Sequence, residues 1–147
     1  MAKVTREQLE RILADAVFVQ AHDFKVTDFG DGSCTLKAPF KETHLRPGGI
    51  VGGPLLMTLA DVAFWLATVT LLGPEEMVVT TELKTSFLSA SSEGDITCRA
   101  EILRCGRQLV YGTVECRGHD DTLLTHHTAT YLRLGSNQKA SPSPVPS

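Results

Sequence analysis

Residues 55–72 read LLMTLADVAFWLATVTLL, an apolar run broken only by Thr58, Asp61, Thr68 and Thr70. A helix that is apolar on every side is either buried inside a domain or crosses a bilayer. The buried reading is the stronger one. An Asp near the middle of a bilayer costs about 2.5–3.5 kcal/mol on insertion scales, and the amphipathic strands that follow would lose the element able to fill their core. Pro54 suits the first helical turn, where its missing N–H is not needed, and Gly73-Pro74 supplies the stop. Ahead of the helix, residues 41–54 read KETHLRPGGIVGGP, with four glycines and two prolines. That density of breakers predicts an ordered loop.

Working outward, the N-terminal side holds Thr5 at a capping position, Gln8 three residues later, and Leu9, Ile12, Leu13 and Val17 at helical spacing. A short amphipathic helix over 5–16 is expected. Two alternating segments, Phe24 to Asp28 and Cys34 to Ala38, flank Gly30-Asp31-Gly32 and predict a hairpin. On the C-terminal side Ile96, Cys98, Ala100 and Ile102 alternate with Thr97, Arg99 and Glu101. Val110, Gly112, Val114 and Cys116 alternate with Tyr111, Thr113 and Glu115 in the same way. Val78 to Leu88 and Leu123 to Leu134 complete the strands, and the connections between them are too short for crossover helices. The sheet is therefore expected to be antiparallel. One all-apolar helix with about six such strands packs economically as an α+β domain in which a curved antiparallel sheet wraps a long central helix, the hotdog architecture. This single domain is expected over residues 1–134, with 135–147 a disordered Ser/Pro-rich tail that has nothing to bury.

The 147 residues, 42% hydrophobic and 21% charged, provide for one core and no more. Net charge is −3 with no Lys/Arg run, which argues against a nucleic-acid partner. Cys34, Cys98, Cys105 and Cys116 form no CxxC pair, and MAKVTREQLERILADA lacks the apolar core of a signal peptide. A cytoplasmic protein with free thiols is expected. His126 and His127 are neighbours in a strand and face opposite ways, so neither a metal nor another cofactor is anticipated.

The stretch richest in chemistry runs from Arg46 to Asp61, where a glycine-rich turn feeds the N-terminus of the apolar helix. First-turn N–H groups lack intrahelical partners and carry the positive end of the helix dipole, so they can hold a developing oxyanion. Gly53, with no side chain, lets a substrate carbonyl approach the backbone. Asp61 lies two turns further in, and a carboxylate inside an apolar helix is costly unless it has work to do. Met57, Thr58, Phe64 and Trp65 share its face, so desolvation is expected to raise its pKa. Met57, Phe64 and Trp65 also suggest an apolar or aromatic pocket. His44, His126 and His127 read as structural histidines.

Together with TTELKTSFL, GDITCRAEILRCGRQLVYGTVE and LLTHHTATYLRL, the Arg46–Asp61 stretch resembles the PaaI-like hotdog thioesterases. Family members show N-x-x-G-x-x-H-G-G-x-x-x-x-L-x-D at this place. Gly49, Gly53, Leu59 and Asp61 keep that register, whereas Arg46 replaces the Asn, Gly52 the His and Pro54 the last Gly. The resemblance implies that Asp61 acts as nucleophile or general base on an acyl-CoA thioester and that the Gly53 N–H polarises its carbonyl. Thr80 is similar in place to a Ser or Thr that positions water. It further implies a homodimer, or a dimer of dimers, with sites built from two subunits, and Arg104 and Arg107 near the CoA phosphates. Arg46 and Gly52, at the altered positions, and Met57 and Trp65 join the substrate-binding candidates, with no membrane partner. Hydratases and dehydratases of this fold pair a His with a carboxylate, and the only His in the loop, His44, lies seventeen positions before Asp61. The alternative from another class is a non-catalytic acyl-CoA-binding or regulatory domain, suggested by the missing Asn and His.

Overall fold

Thr5 starts the first helix by closing a capping box. Its side-chain oxygen accepts the Gln8 N–H at 3.2 Å, and the Gln8 side chain accepts the Thr5 N–H at 2.9 Å. In the computed structural model, which describes residues 2–135, helix α1 runs Arg6–Asp15 and buries Leu9 and Leu13. Of the tail expected over 135–147, Gly135 is the last residue of the final strand and 136–147 lie outside the described residues. A 3-10 turn, Val17–His22, leads into the hairpin β1, Lys25–Gly30, and β2, Ser33–Ala38, with Gly32 at φ 77° in the connection. That positive φ is why glycine serves there.

The loop before the central helix carries more order than its composition suggests. A 3-10 turn, Glu42–His44, is followed by two-residue strands β3, Leu45–Arg46, and β4, Ile50–Val51, which pair antiparallel. Gly48 at φ 101° and Gly49 at φ 76° make the reversal between them. The Val51 N–H donates to the Ser91 carbonyl at 2.8 Å, and the Gly52 N–H to the His44 carbonyl at 2.9 Å. The turn is thus fixed at both ends where it enters the helix.

Helix α2 runs Gly53–Leu72 with Pro54 in its first turn and Gly73 as its C-cap. It is long and apolar enough to cross a membrane, and its most apolar 18-residue stretch has a mean hydropathy of 1.9 and is 67% buried inside the fold. Its cover is a six-stranded antiparallel sheet completed by β5 Met77–Phe87, β6 Ile96–Cys105, β7 Leu109–Arg117 and β8 Leu123–Gly135. The spatial order is β1-β2-β6-β7-β8-β5. Ile96, Cys98, Ala100, Val110, Val114, Cys116, Ala129 and Tyr131 point inward, following the period-2 alternation. Against them pack Leu56, Leu59, Ala60, Ala63, Phe64, Leu66 and Ala67 of α2. Phe64 is wholly buried, and such burial contributes roughly 1.5–3 kcal/mol.

One face of α2 escapes part of this cover. Pro54 and Met57 are exposed, and Thr58, Asp61 and Trp65 are half-buried, a stripe at helical spacing that the chain's own sheet covers only in part. The sheet is likewise open beside it. Strand β5 pairs only with β8, its other edge is unpaired among the described residues, and none of its residues is fully buried.

Candidate active site

Asp61 sits on the partly covered stripe, where β5 and β8 approach α2. Thr80 and Tyr131 are register partners across β5 and β8, and both hydroxyls reach the carboxylate. The Thr80 Oγ1 donates to Asp61 Oδ1 at 3.0 Å, and the Tyr131 Oη lies 2.8 Å from the same oxygen and 2.7 Å from the Asp61 carbonyl oxygen. The ladder slips between Thr80 and Glu82, a bulge that leaves Thr81 turned to the Thr130 carbonyl at 3.0 Å while Thr80 faces the carboxylate. Burial pushes the Tyr131 phenol up, and the adjacent Asp61 charge pushes it further. The phenol therefore stays protonated and donates.

The apolar enclosure expected around Asp61 is not there. Phe64 points into the core, Met57 is exposed and Thr58 half-buried, so hydrogen bonds rather than a hydrophobic seal hold the carboxylate. The cleft in front of it has a volume of about 190 Å³ and is lined by Phe18, Asp61, Val62, Trp65, Val78, Thr80 and Tyr131. Trp65 is therefore beside Asp61 as expected, whereas Met57 does not line this cleft. Phe18, on the turn after α1, is 71% exposed and forms the outer wall.

The glycine turn forms a separate feature. Gly53 is the first residue of α2, so its N–H belongs to the unpaired first turn. Its missing side chain is already used by Phe87, since a Cβ there would lie 3.0 Å from the ring Cε1. Gly52, the N-cap, has φ −69°, ordinary extended backbone, so the position does not require glycine for its torsion as a Gly at this turn would suggest. Arg46 is exposed and lines, with Gly52, His22, His44, Leu55 and Thr58, a cleft of about 360 Å³.

Eight residues of helix separate Gly53 from Asp61, about 12 Å along the axis with a rotation of roughly 80°. Within one chain these two groups cannot address the same carbonyl. Arg104 and Arg107 form a third group with Gln108, Leu109, Tyr111 and Thr130 around a cleft of about 600 Å³. Thr130 and Tyr111 alternate with the inward Tyr131 and Val110, so this cleft opens on the outer face of the sheet.

His44 and His127 each have side-chain partners within the fold. His44 Nε2 and His22 Nδ1 are 2.9 Å apart, and burial first, then the charge of His22, lowers the His44 pKa. His127 is wholly buried between the hydroxyls of Thr85, at 2.9 Å, and Thr125, at 2.7 Å. Among the described residues no three His, Cys, Asp or Glu side chains are grouped so as to hold a metal.

Tyr131 was not among the residues singled out from sequence, yet its signal exists. Alternation through LLTHHTATYLRL puts 125, 127, 129 and 131 on one face, and a buried tyrosine hydroxyl needs a partner. Asp61 is the one carboxylate on the helix that face covers.

Both the sequence and the fold resemble known proteins. The family model of the thioesterase superfamily matches residues 48–125, a span that takes in Gly53, Asp61 and Thr80. A proposed esterase of Thermoplasma acidophilum is 29% identical over 125 residues, covering 85% of this chain and 94% of that protein. The solved thioesterase from Haemophilus influenzae superposes with a TM-score of 0.85 at 20% identity, covering 95% of this chain and 99% of that one, which shows the fold. The phenylacetic acid degradation protein PaaI of Thermus thermophilus, solved as a mutant, is 26% identical with a TM-score of 0.72, covering 80% and 99%.

Proposed function

Because this chain belongs to the thioesterase superfamily, we propose that it hydrolyses an acyl-CoA thioester to the free acid and CoA, with Asp61 as general base or nucleophile. The observation that carries the reading is the Asp61 carboxylate at an open cleft, with one oxygen held by the Thr80 and Tyr131 hydroxyls. A positioned carboxylate of this kind attacks a thioester carbonyl or takes a proton from water, and in either case the resulting oxyanion needs a donor. The Gly53 N–H, at the positive end of α2, is that donor.

The donor and the carboxylate must come from different copies, given the separation of about 12 Å along one helix. The unpaired edge of β5 and the partly covered stripe of α2 lie next to Asp61 and supply the surface for a homodimer, or a dimer of dimers, with each site shared. Sedimentation at micromolar concentration is expected to show an oligomer. A monomer would remove the shared site. The unpaired thiols of Cys34, Cys98, Cys105 and Cys116 suit a reducing cytoplasm.

CoA carries phosphates, and Arg46, Arg104 and Arg107 are the exposed cations assigned to them. For Arg46, beside the glycine turn, Arg46→Ala should raise KM about three- to fivefold with kcat nearly unchanged, because an exposed charge contact is worth up to about 1 kcal/mol and is shared by ground and transition states. An unchanged KM makes Arg46 an ordinary surface residue.

A panel of acyl-CoA substrates read out by free-thiol release tests the whole proposal. Catalytic release from at least one member is the expected result. Saturable acyl-CoA binding without any release would instead identify a non-catalytic binding domain, the reading that Gly52 and Arg46 in place of the family's His and Asn would then explain.

A further inference from the structure

We propose that Tyr131 is the positioning residue of the Asp61 carboxylate, a role that rests on the hydrolase reading above. Its phenol lies 2.7 Å from the Asp61 main-chain oxygen and 2.8 Å from Oδ1. One proton shared between those two acceptors ties the Asp61 side chain to the backbone of its own helix. Thr80 donates to the same Oδ1, and no donor among the described residues is recorded at Oδ2. Oδ1 is thereby the anchored oxygen, and Oδ2 is the one left to meet water or the acyl carbon.

Tyr131, more than Thr80, sets this geometry. Thr80 is exposed on an edge strand, and its hydroxyl turns about a single bond. The Tyr131 ring is 3% exposed on β8, inside the sheet, and packs edge-on against Phe64 with centroids 4.6 Å apart at 84°. Phe64 is itself sealed in the core. Both torsions of the tyrosine are thus fixed by packing, which is what a supporting group needs if it is to hold a reacting group in place.

The test uses the intact protein and four forms of it: parent, Tyr131→Phe, Asp61→Asn and the double variant. Phenylalanine keeps the packing against Phe64 and removes only the hydroxyl. A reacting group misplaced by about 1 Å can lose roughly a hundredfold in rate, and with Thr80 still on Oδ1 the expected loss in Tyr131→Phe is about tenfold in kcat, with KM within about twofold. In the Asp61→Asn background the same change should cost nothing further, because the group it positions no longer reacts. Independent, multiplying losses, or an undiminished kcat in the single variant, would overturn the proposal. Crystal structures of parent and Tyr131→Phe give the decision without activity. Asp61 should hold one conformer in the parent and leave it or split in the variant, and an unmoved carboxylate overturns the proposal. A parent that releases no thiol from any acyl-CoA fails the hydrolase reading instead, and the two structures then decide the positioning role alone.

Discussion

Asp61→Asn is expected to lower kcat by roughly a hundredfold or more, in line with the loss of a general base worth about 10²–10⁴. Nothing else in the cleft can replace the carboxylate. Phe18, Val62, Trp65 and Val78 have no proton to take or give usefully at neutral pH, the Thr80 hydroxyl has no base in the cleft but Asp61 itself, and the Tyr131 phenol is held protonated by burial and by the Asp61 charge. The substitution is nearly isosteric, and the Asn carbonyl oxygen can accept from Thr80 and Tyr131 where Oδ1 now does. Packing, assembly and KM should therefore hold, and the unfolding temperature should stay close to the parent's, since Asp61 is only half-buried and the amide oxygen keeps both hydrogen bonds. Steady-state thiol release at saturating acyl-CoA, with a thermal melt on the same preparation, measures both parts. A variant that keeps near-parental kcat removes Asp61 from the chemistry.

Much of the architecture was legible because it is written locally. The apolar run at 55–72, Pro54 before it and Gly73 after it define α2, the Thr5–Gln8 spacing defines the start of α1, and alternation defines the inward faces of β6, β7 and β8. The family resemblance pointed to Thr80 as a residue that positions water, and its contact with the Asp61 carboxylate comes from the structure. What was not legible depends on register and on pairs distant in sequence. The bulge after Thr80 decides which of two adjacent threonines meets Asp61, and nothing in VVTTELK marks it. Tyr131 is seventy positions from Asp61, and only the β5–β8 pairing brings it there. The small β3–β4 pair was hidden by glycines that read as loop, although Gly48 and Gly49 are there to turn it. A helix apolar all round needs more cover than one sheet face gives, and the single sheet indeed covers only part of α2. The stripe left open carries Asp61, so the part of the helix with the least cover is also where the candidate chemistry sits.

Gly112→Ala is expected to be the most destabilising alanine substitution among the described glycines. Gly112 occupies an inward position on β7, where alternation would otherwise place a core side chain such as Val110 or Val114. The neighbouring strand β6 slips its register between Ile102 and Arg104, next to the Ile102–Gly112 pair. A Cβ at 112 would lie 2.2 Å from the Glu101 carbonyl oxygen and 2.8 Å from Phe64 Cε2. A backbone carbonyl in a paired strand cannot swing aside, so the sheet itself must spread. Overpacking of this kind typically costs about 1–3 kcal/mol and occasionally more, and with a backbone atom as the obstacle the upper end applies, which for a chain of this size lowers Tm by about 5–10 °C. Calorimetry at neutral pH measures it, and a Tm within about 2 °C of the parent would show that the strands yield freely. The second obstacle carries the effect to the site. Phe64 is the ring against which Tyr131 packs, so a methyl that displaces Phe64 also disturbs the phenol that holds Asp61. Well below its Tm, where the variant is fully folded, kcat should still fall by a few fold with KM little changed, as expected when a reacting group is misplaced by a fraction of the ~1 Å that costs roughly a hundredfold.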